Sequence, residues 1–127
     1  VSINNAHPVM AGMPKNTYIF VSKSPVFNTL KGFEGEALAK YQPNGSPLAS
    51  GYLLGSEYMN DYAAALDVHH GTGHVILLGF QPQWRGQPMG TFRILFNALL
   101  FNKNIAKTHP INTSFWSSPQ SVASEKE

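Results

Sequence analysis

At 127 residues, 43% hydrophobic and 12% aromatic, the chain is long enough to bury a core of its own and is one domain at most. Nine basic against seven acidic residues leave a formal charge of +2, and the lysines and arginines are scattered singly, so the electrostatic footprint of a nucleic-acid binder is missing. There is no cysteine, which excludes disulfides, thiolate metal sites and cysteine nucleophiles, and no apolar run approaches the roughly 20 residues needed to span a bilayer.

The sequence opens on Val1 without a signal-peptide pattern, which suggests a processed or excised piece of something longer. Val1 to Pro14 carries His7-Pro8 and Gly12-Met13-Pro14, two punctuators close together, and reads as a loop or irregular edge. Thr17 to Val21 is β-branched and aromatic between polar flanks, and reads as a first strand. Phe27 to Gly35 fits neither the helical nor the strand period. Glu36 to Tyr41 alternates and suits a short strand, ended by the turn signal Pro43-Asn44-Gly45. Ser50 to Leu54 is a small apolar segment interrupted by Gly55, Glu57 to Asn60 fits a helical turn or an edge, and Asp61 marks a boundary.

Ala63 to Val68 and the apolar run His74 to Phe80 form a hairpin around the loop His69 to Gly73, whose glycines supply positive φ. The run is apolar almost throughout, which predicts a central strand buried on both faces. Gln81 to Gly90, with two prolines and two glycines, is a loop. From Thr91, placed to cap the helix, Phe92, Leu95, Phe96, Leu99 and Leu100 follow helical spacing. Ile94, Ala98 and Phe101 widen the apolar surface and leave a polar stripe at Arg93 and Asn97, so this helix wants a sheet and a second partner. Asn97 is expected to bond a loop backbone. Asn102, Lys103 and Asn104 stop the helix, and residues 106–127 read as a mobile polar tail anchored only by Phe115-Trp116. The expected fold is α+β: a mainly antiparallel sheet of about five strands with one C-terminal packed helix, over a domain at 1–105.

His69, His70 and His74 lie close enough to suggest a zinc or other transition-metal site. Adjacent histidines on an extended chain point to opposite faces, however, and the nearest acids, Asp67 and Asp61, sit on the same hairpin arm. The group is therefore expected to bind no metal tightly, and no cofactor is assigned. A metal-dependent hydrolase built on the three histidines is the weaker alternative. Nucleophilic catalysis finds no support, because no Gly-x-Ser-x-Gly elbow occurs and the serines at 22, 24, 46, 50 and 56 fit local turn roles. The carboxylates Glu34, Glu36, Glu57, Asp61 and Asp67 lie in weakly ordered or exposed contexts for acid–base work. Gly71-Thr72-Gly73 enters a strand rather than a helix and is no phosphate loop. Trp84, Arg85 and Gln87 form the one surface cluster suited to recognition of a small ligand or glycan. A structural role competes with it: Arg85 bonding loop carbonyls while Trp84 covers the end of the sheet.

The run Gly79-Phe80-Gln81-Pro82-Gln83-Trp84-Arg85-Gly86-Gln87, followed by Thr91 to Leu99, resembles the C-terminal accessory region of some bacterial zinc carboxypeptidase-like metallopeptidases. His7-Pro8, Gly12-Met13-Pro14, Ser24-Pro25-Val26-Phe27 and Ser50-Gly51-Tyr52-Leu53 extend the likeness over about residues 5–103. That region is similar to the second half of a class I glutamine amidotransferase-like, flavodoxin-like domain, whose late strand ends in Phe-His-Pro-Glu. Here Phe80-Gln81-Pro82-Gln83 stands in its place, with amides for both catalytic side chains. The peptidase's His-x-x-Glu zinc signature is absent as well. The resemblance implies a non-catalytic accessory domain of a secreted or periplasmic metallopeptidase, a hydrolase parent, serving packing, substrate presentation or assembly. Its partner would be the parent's catalytic domain or a second copy of the chain. Because strands of an absent N-terminal half would normally lie beside His74 to Phe80, the helix flank and that strand's edge are expected to be open, and the chain to pair with itself or aggregate.

Overall fold

A computed structural model describes residues 1–119 of the chain. The sheet is an antiparallel meander of four strands in the order β1-β2-β3-β4: β1 (Ser2–Ile3), β2 (Gly35–Lys40), β3 (Ala63–His70) and β4 (Gly73–Leu78). Two helices follow, α1 (Phe92–Leu100) and α2 (Lys103–Thr108), and short 3-10 turns form at Pro8–Met10, Ser56–Met59 and Met89–Thr91. The α+β class and the antiparallel sheet agree with the sequence; the strand count is four rather than about five.

The hairpin β3–β4 lies where the sequence places it, with His69 opposite His74 and His70 opposite Gly73. Gly71 closes the turn at φ +58°, a left-handed conformation that a side chain would strain. A further glycine is fixed by space: a Cβ on Gly79 would lie 2.3 Å from the Pro25 carbonyl oxygen and 3.0 Å from that of Ala64. The chain can therefore leave β4 flush against the Pro25–Phe27 strip.

β4 is an edge strand, not the expected central one. Its continuous apolar run is real but has a different cause. Alternate residues serve two separate clusters, Ile76 and Leu78 on one face of the sheet and Leu77 on the other. The larger cluster joins Ile3, Val9, Met10, Met13, Leu38, Tyr41, Phe80 and Ile94. The smaller gathers Phe27, Phe33, Phe115 and Trp116 around Ala37, Ala63 and Leu66.

Thr17 to Val21 is not a strand. Its backbone bonds go to two different partners, Thr17 N–H to the Val1 carbonyl and Gln81 N–H to the Phe20 carbonyl, so no ladder can run. The first strand lies instead at Ser2–Ile3, inside the stretch expected to be loop.

Helix α1 meets the sheet through Ile94, Ala98 and Phe101, at positions i, i+4 and i+7. The stripe Phe92, Leu95, Phe96, Leu99, Leu100, expected to face the core, is in good part turned outward: Phe96 is 58%, Leu99 74% and Leu100 71% exposed. The helix is oriented by its polar residue. The Asn97 side-chain amide donates to the carbonyls of Val9 and Ala11, both at 3.0 Å, and clamps α1 onto the Pro8–Met10 turn. Thr91 does not cap with its side chain. Its buried hydroxyl lies 2.8 Å from the Pro82 carbonyl and 2.9 Å from that of Pro88, tying the preceding loop together. Asn102 does stop α1, but it also starts α2, its side-chain oxygen accepting from Asn104 N–H and Ile105 N–H.

The segment after α2 returns to the sheet. Phe115 and Trp116 pack on the smaller cluster, the Trp116 indole donates to the Asp61 carbonyl, and the Lys40 ammonium lies over the Phe115 ring. The part of the expected tail at 120–127 lies outside the described residues.

Candidate functional site

On the sheet face that carries α1, β2 and β3 set Glu36 directly opposite Asp67. Both carboxylates are buried, which overturns their expected exposure. Burial of two like charges side by side demands partners, and among the described residues all of their ion-pair partners are histidines. His109 Nε2 lies 2.9 Å from Glu36, whose other oxygen accepts from the Asn4 amide at 2.9 Å and the Asn112 N–H at 3.1 Å. Asp67 is 2.9 Å from His74 Nδ1, 3.2 Å from His7 Nε2 and 3.9 Å from His69 Nε2.

Local structure explains each placement. His69 and Asp67 are two apart on β3 and share its face, and the hairpin register sets His74 opposite His69, so the rings meet at 4.6 Å in a T-shape. His7, extended because Pro8 follows, caps the Pro8–Met10 turn: its Nδ1 accepts from Val9 N–H at 3.2 Å. That bond leaves the proton of a neutral His7 on Nε2, which donates to Asp67. His109 follows α2 and packs edge-on against His7 at 4.6 Å, while Phe101 lies against both His7 and His74.

Burial raises the Asp67 pKa, but hydrogen bonds from His7 and His74 and their charge outweigh it, so the carboxyl sits below its ordinary value and stays ionised. A pocket of about 210 Å3 opens over this group, lined by Asp67, His69 and His74 on the sheet and by Lys103, Lys107 and His109 from α2 and beyond. The donors fall into two sets, Asp67–His69–His74 and His7–Glu36–His109, in each of which one ligand atom per residue lies within 4.8 Å of the others.

Of the sequence candidates, His69 and His74 are thus brought together. His70 is left at the exposed end of the hairpin and belongs to neither set. Trp84 and Arg85 do meet, with the guanidinium 5.3 Å over the indole, while the Trp84 ring stacks on Phe20 at 5.8 Å. This favours the structural role for Trp84, although Arg85 stacks there and bonds no carbonyl among the described residues. Gln87 is exposed and donates its backbone N–H to Trp84. Sequence reasoning missed His7 and His109, and it set Glu36 and Asp67 aside as exposed or weakly ordered although both are buried. The signal for Glu36 was its place in register with Leu38 on an alternating strand, since an acid on an inward face must find donors. His7 carried no comparable signal, because its proline context reads as punctuation. Comparison with protein-family models, curated proteins and solved structures finds no match to the chain.

Proposed function

We propose that the chain is a non-catalytic accessory domain of a larger secreted or periplasmic protein of the zinc carboxypeptidase-like kind, packing against the catalytic domain of that protein. The observation that carries this reading is the outward flank of α1, where Phe96, Leu99 and Leu100 are all exposed on consecutive turns. Three large apolar side chains on one helix flank are what an interface uses and what an isolated surface does not need. The edge of β4, unpaired among the described residues and with Val75 exposed on it, adds a second open surface. The sequence resemblance supplies the parent and the compartment. The lack of chemistry at Gln81 and Gln83 supports a non-catalytic role, since amides neither accept a proton near neutral pH nor act as nucleophiles.

Hydrogen exchange on the chain alone and on the chain joined to its parent's peptidase domain tests the reading. The amides of Phe96 to Leu100, already bonded within α1, should exchange markedly more slowly in the joined form than in the free chain. Equal exchange in both forms sinks it. A free chain that sediments as a dimer, and that Leu99→Glu returns to monomer, reassigns the flank to a second copy and also overturns it.

A further inference from the structure

The pocket over the β3–β4 hairpin holds a donor set that the accessory role does not use. We propose that Asp67, His69 and His74 form a binding site for one divalent transition-metal ion of the zinc class, with an open coordination position facing the pocket.

The donor types come first. Two imidazoles and one carboxylate, with no thiolate, suit zinc and the neighbouring late first-row divalent ions, and three protein ligands are the complement of a site that keeps a position free for an exogenous ligand. Distances come next. Bonds of about 2.1 Å in a tetrahedral shell place ligand atoms roughly 3.4 Å apart. Here Asp67 Oδ2 is 2.9 Å from His74 Nδ1 and 3.9 Å from His69 Nε2. The two spacings bracket the requirement, so a movement of about 0.5 Å by each imidazole, one outward and one inward, seats the ion. Both rings have room for it, with side chains 26% and 21% exposed at the pocket.

Asp67 is the fixed ligand. Its carboxylate is buried and held at 3.2 Å by the Nε2–H of His7, which is itself locked by the Val9 amide on Nδ1. Outer-shell hydrogen bonds of this kind orient a ligating carboxylate before the ion arrives. The same lock decides between the two donor sets. In His7–Glu36–His109, His7 would have to give up Asp67 to ligate, because its other nitrogen is occupied; in Asp67–His69–His74 the bond to His7 stays, and the proton that His74 Nδ1 shares with Asp67 is released to solvent as the ion takes its place. The second set is also the more closed, with Glu36 already accepting from Asn4, Asn112 and His109. The alternation that keeps three neighbouring imidazoles from converging is respected: His70 points away, and Asp67 supplies the third ligand.

The test is titration of the metal-free chain with Zn2+ by calorimetry, together with Co2+ as a spectroscopic probe. One ion should bind per chain, and Co2+ should develop the visible absorption of a low-coordinate site with imidazole ligands. The double variant His69→Ala/His74→Ala should weaken binding by at least the roughly 10- to 100-fold that loss of an outer-shell partner costs. His70→Ala should bind as the parent chain does. Both altered positions are partly exposed, and circular dichroism verifies that the variants fold. Absence of stoichiometric binding overturns the proposal. So does binding that survives in the double variant but is lost in His109→Ala, which would place the ion in the second set, or binding lost in His70→Ala.

Discussion

The orientation of α1 can be tested by a pair of substitutions on the same helix. Ile94 is fully buried against Val9 and Met10, whereas Leu99, five residues on, is mostly exposed. Alanine favours the helix at either position, so backbone propensity cannot produce a loss at one and not the other. Removing the Ile94 side chain strips transfer energy and leaves a cavity under a helix that Asn97 pins in place, which limits collapse. The expected cost of Ile94→Ala is about 3 kcal/mol, near the middle of the range for such truncations, with Ile94→Val at about 1 kcal/mol. For a domain of this size 3 kcal/mol corresponds to roughly 10–15 °C in melting temperature. Leu99→Ala should stay within about 0.5 kcal/mol. Thermal and urea unfolding followed by circular dichroism measure all three, at concentrations where sedimentation shows a monomer. A Leu99→Ala cost matching that of Ile94→Ala in the monomer would refute the orientation and return the Phe92–Leu100 stripe to the core.

The Tyr41 hydroxyl is buried without a partner among the described residues, so Tyr41→Phe should be neutral or stabilising by up to about 1–2 kcal/mol in thermal melts near neutral pH. Burial also pushes its pKa up to about 12 from 10.0; the unfolded state ionises first, and stability from this group should fall as pH rises from about 10 to 12, a slope that Tyr41→Phe removes from alkaline urea titrations. Glu36→Ala leaves the donors of Asn4, His109 and Asn112 without their shared acceptor, and should cost about 3 kcal/mol in urea unfolding and open the chain near residues 109–112 to limited proteolysis. Truncation after Thr113 removes Phe115 and Trp116 from the smaller cluster and should lower stability by about 2 kcal/mol, where a free tail would change nothing.

What could be read from the sequence was whatever local pattern fixes. The β3–β4 hairpin follows from glycine punctuation between two apolar runs, and the Asn97 clamp follows from one amide in the narrow polar stripe it shares with Arg93 on a mostly apolar cylinder. Positions set by tertiary partners were not legible. An apolar run that feeds two clusters looks the same in sequence as a central strand, whereas β4 is an edge. In α1 almost every position is apolar, so the pattern could not choose the core face; the Asn97 bonds to Val9 and Ala11 choose it, across 88 and 86 residues of chain. The carboxylate–histidine group was half visible. His69 and His74 are close in sequence, but His7 and His109 reach the same carboxylates from separations of 60 and 73 residues, which no spacing rule encodes.

The placement of those carboxylates is hard to explain by stability alone. Like charges directly opposite each other across a strand pair destabilise it, and at about 5 Å with an effective dielectric near 20 the repulsion is roughly 3 kcal/mol. Imidazole partners offset that repulsion, yet a well-packed apolar pair at Glu36 and Asp67 would avoid both it and the desolvation of two carboxylates, and replacing buried ionic groups in this way is often neutral or stabilising. The chain instead spends four of its five histidines around these two positions, under a pocket open to solvent. The alternative of a purely structural polar network accounts for Glu36, whose donors tie Asn4, His109 and Asn112 to the sheet and so hold the C-terminal segment down. It does not account for His69, which stands 3.9 Å from Asp67, too far for a hydrogen bond, with its ring turned to the pocket beside His74. A residue that contributes little to the network but completes a three-donor set is what a site for an added ion requires, and it is on His69 that the structural and ligand-binding accounts of this group diverge.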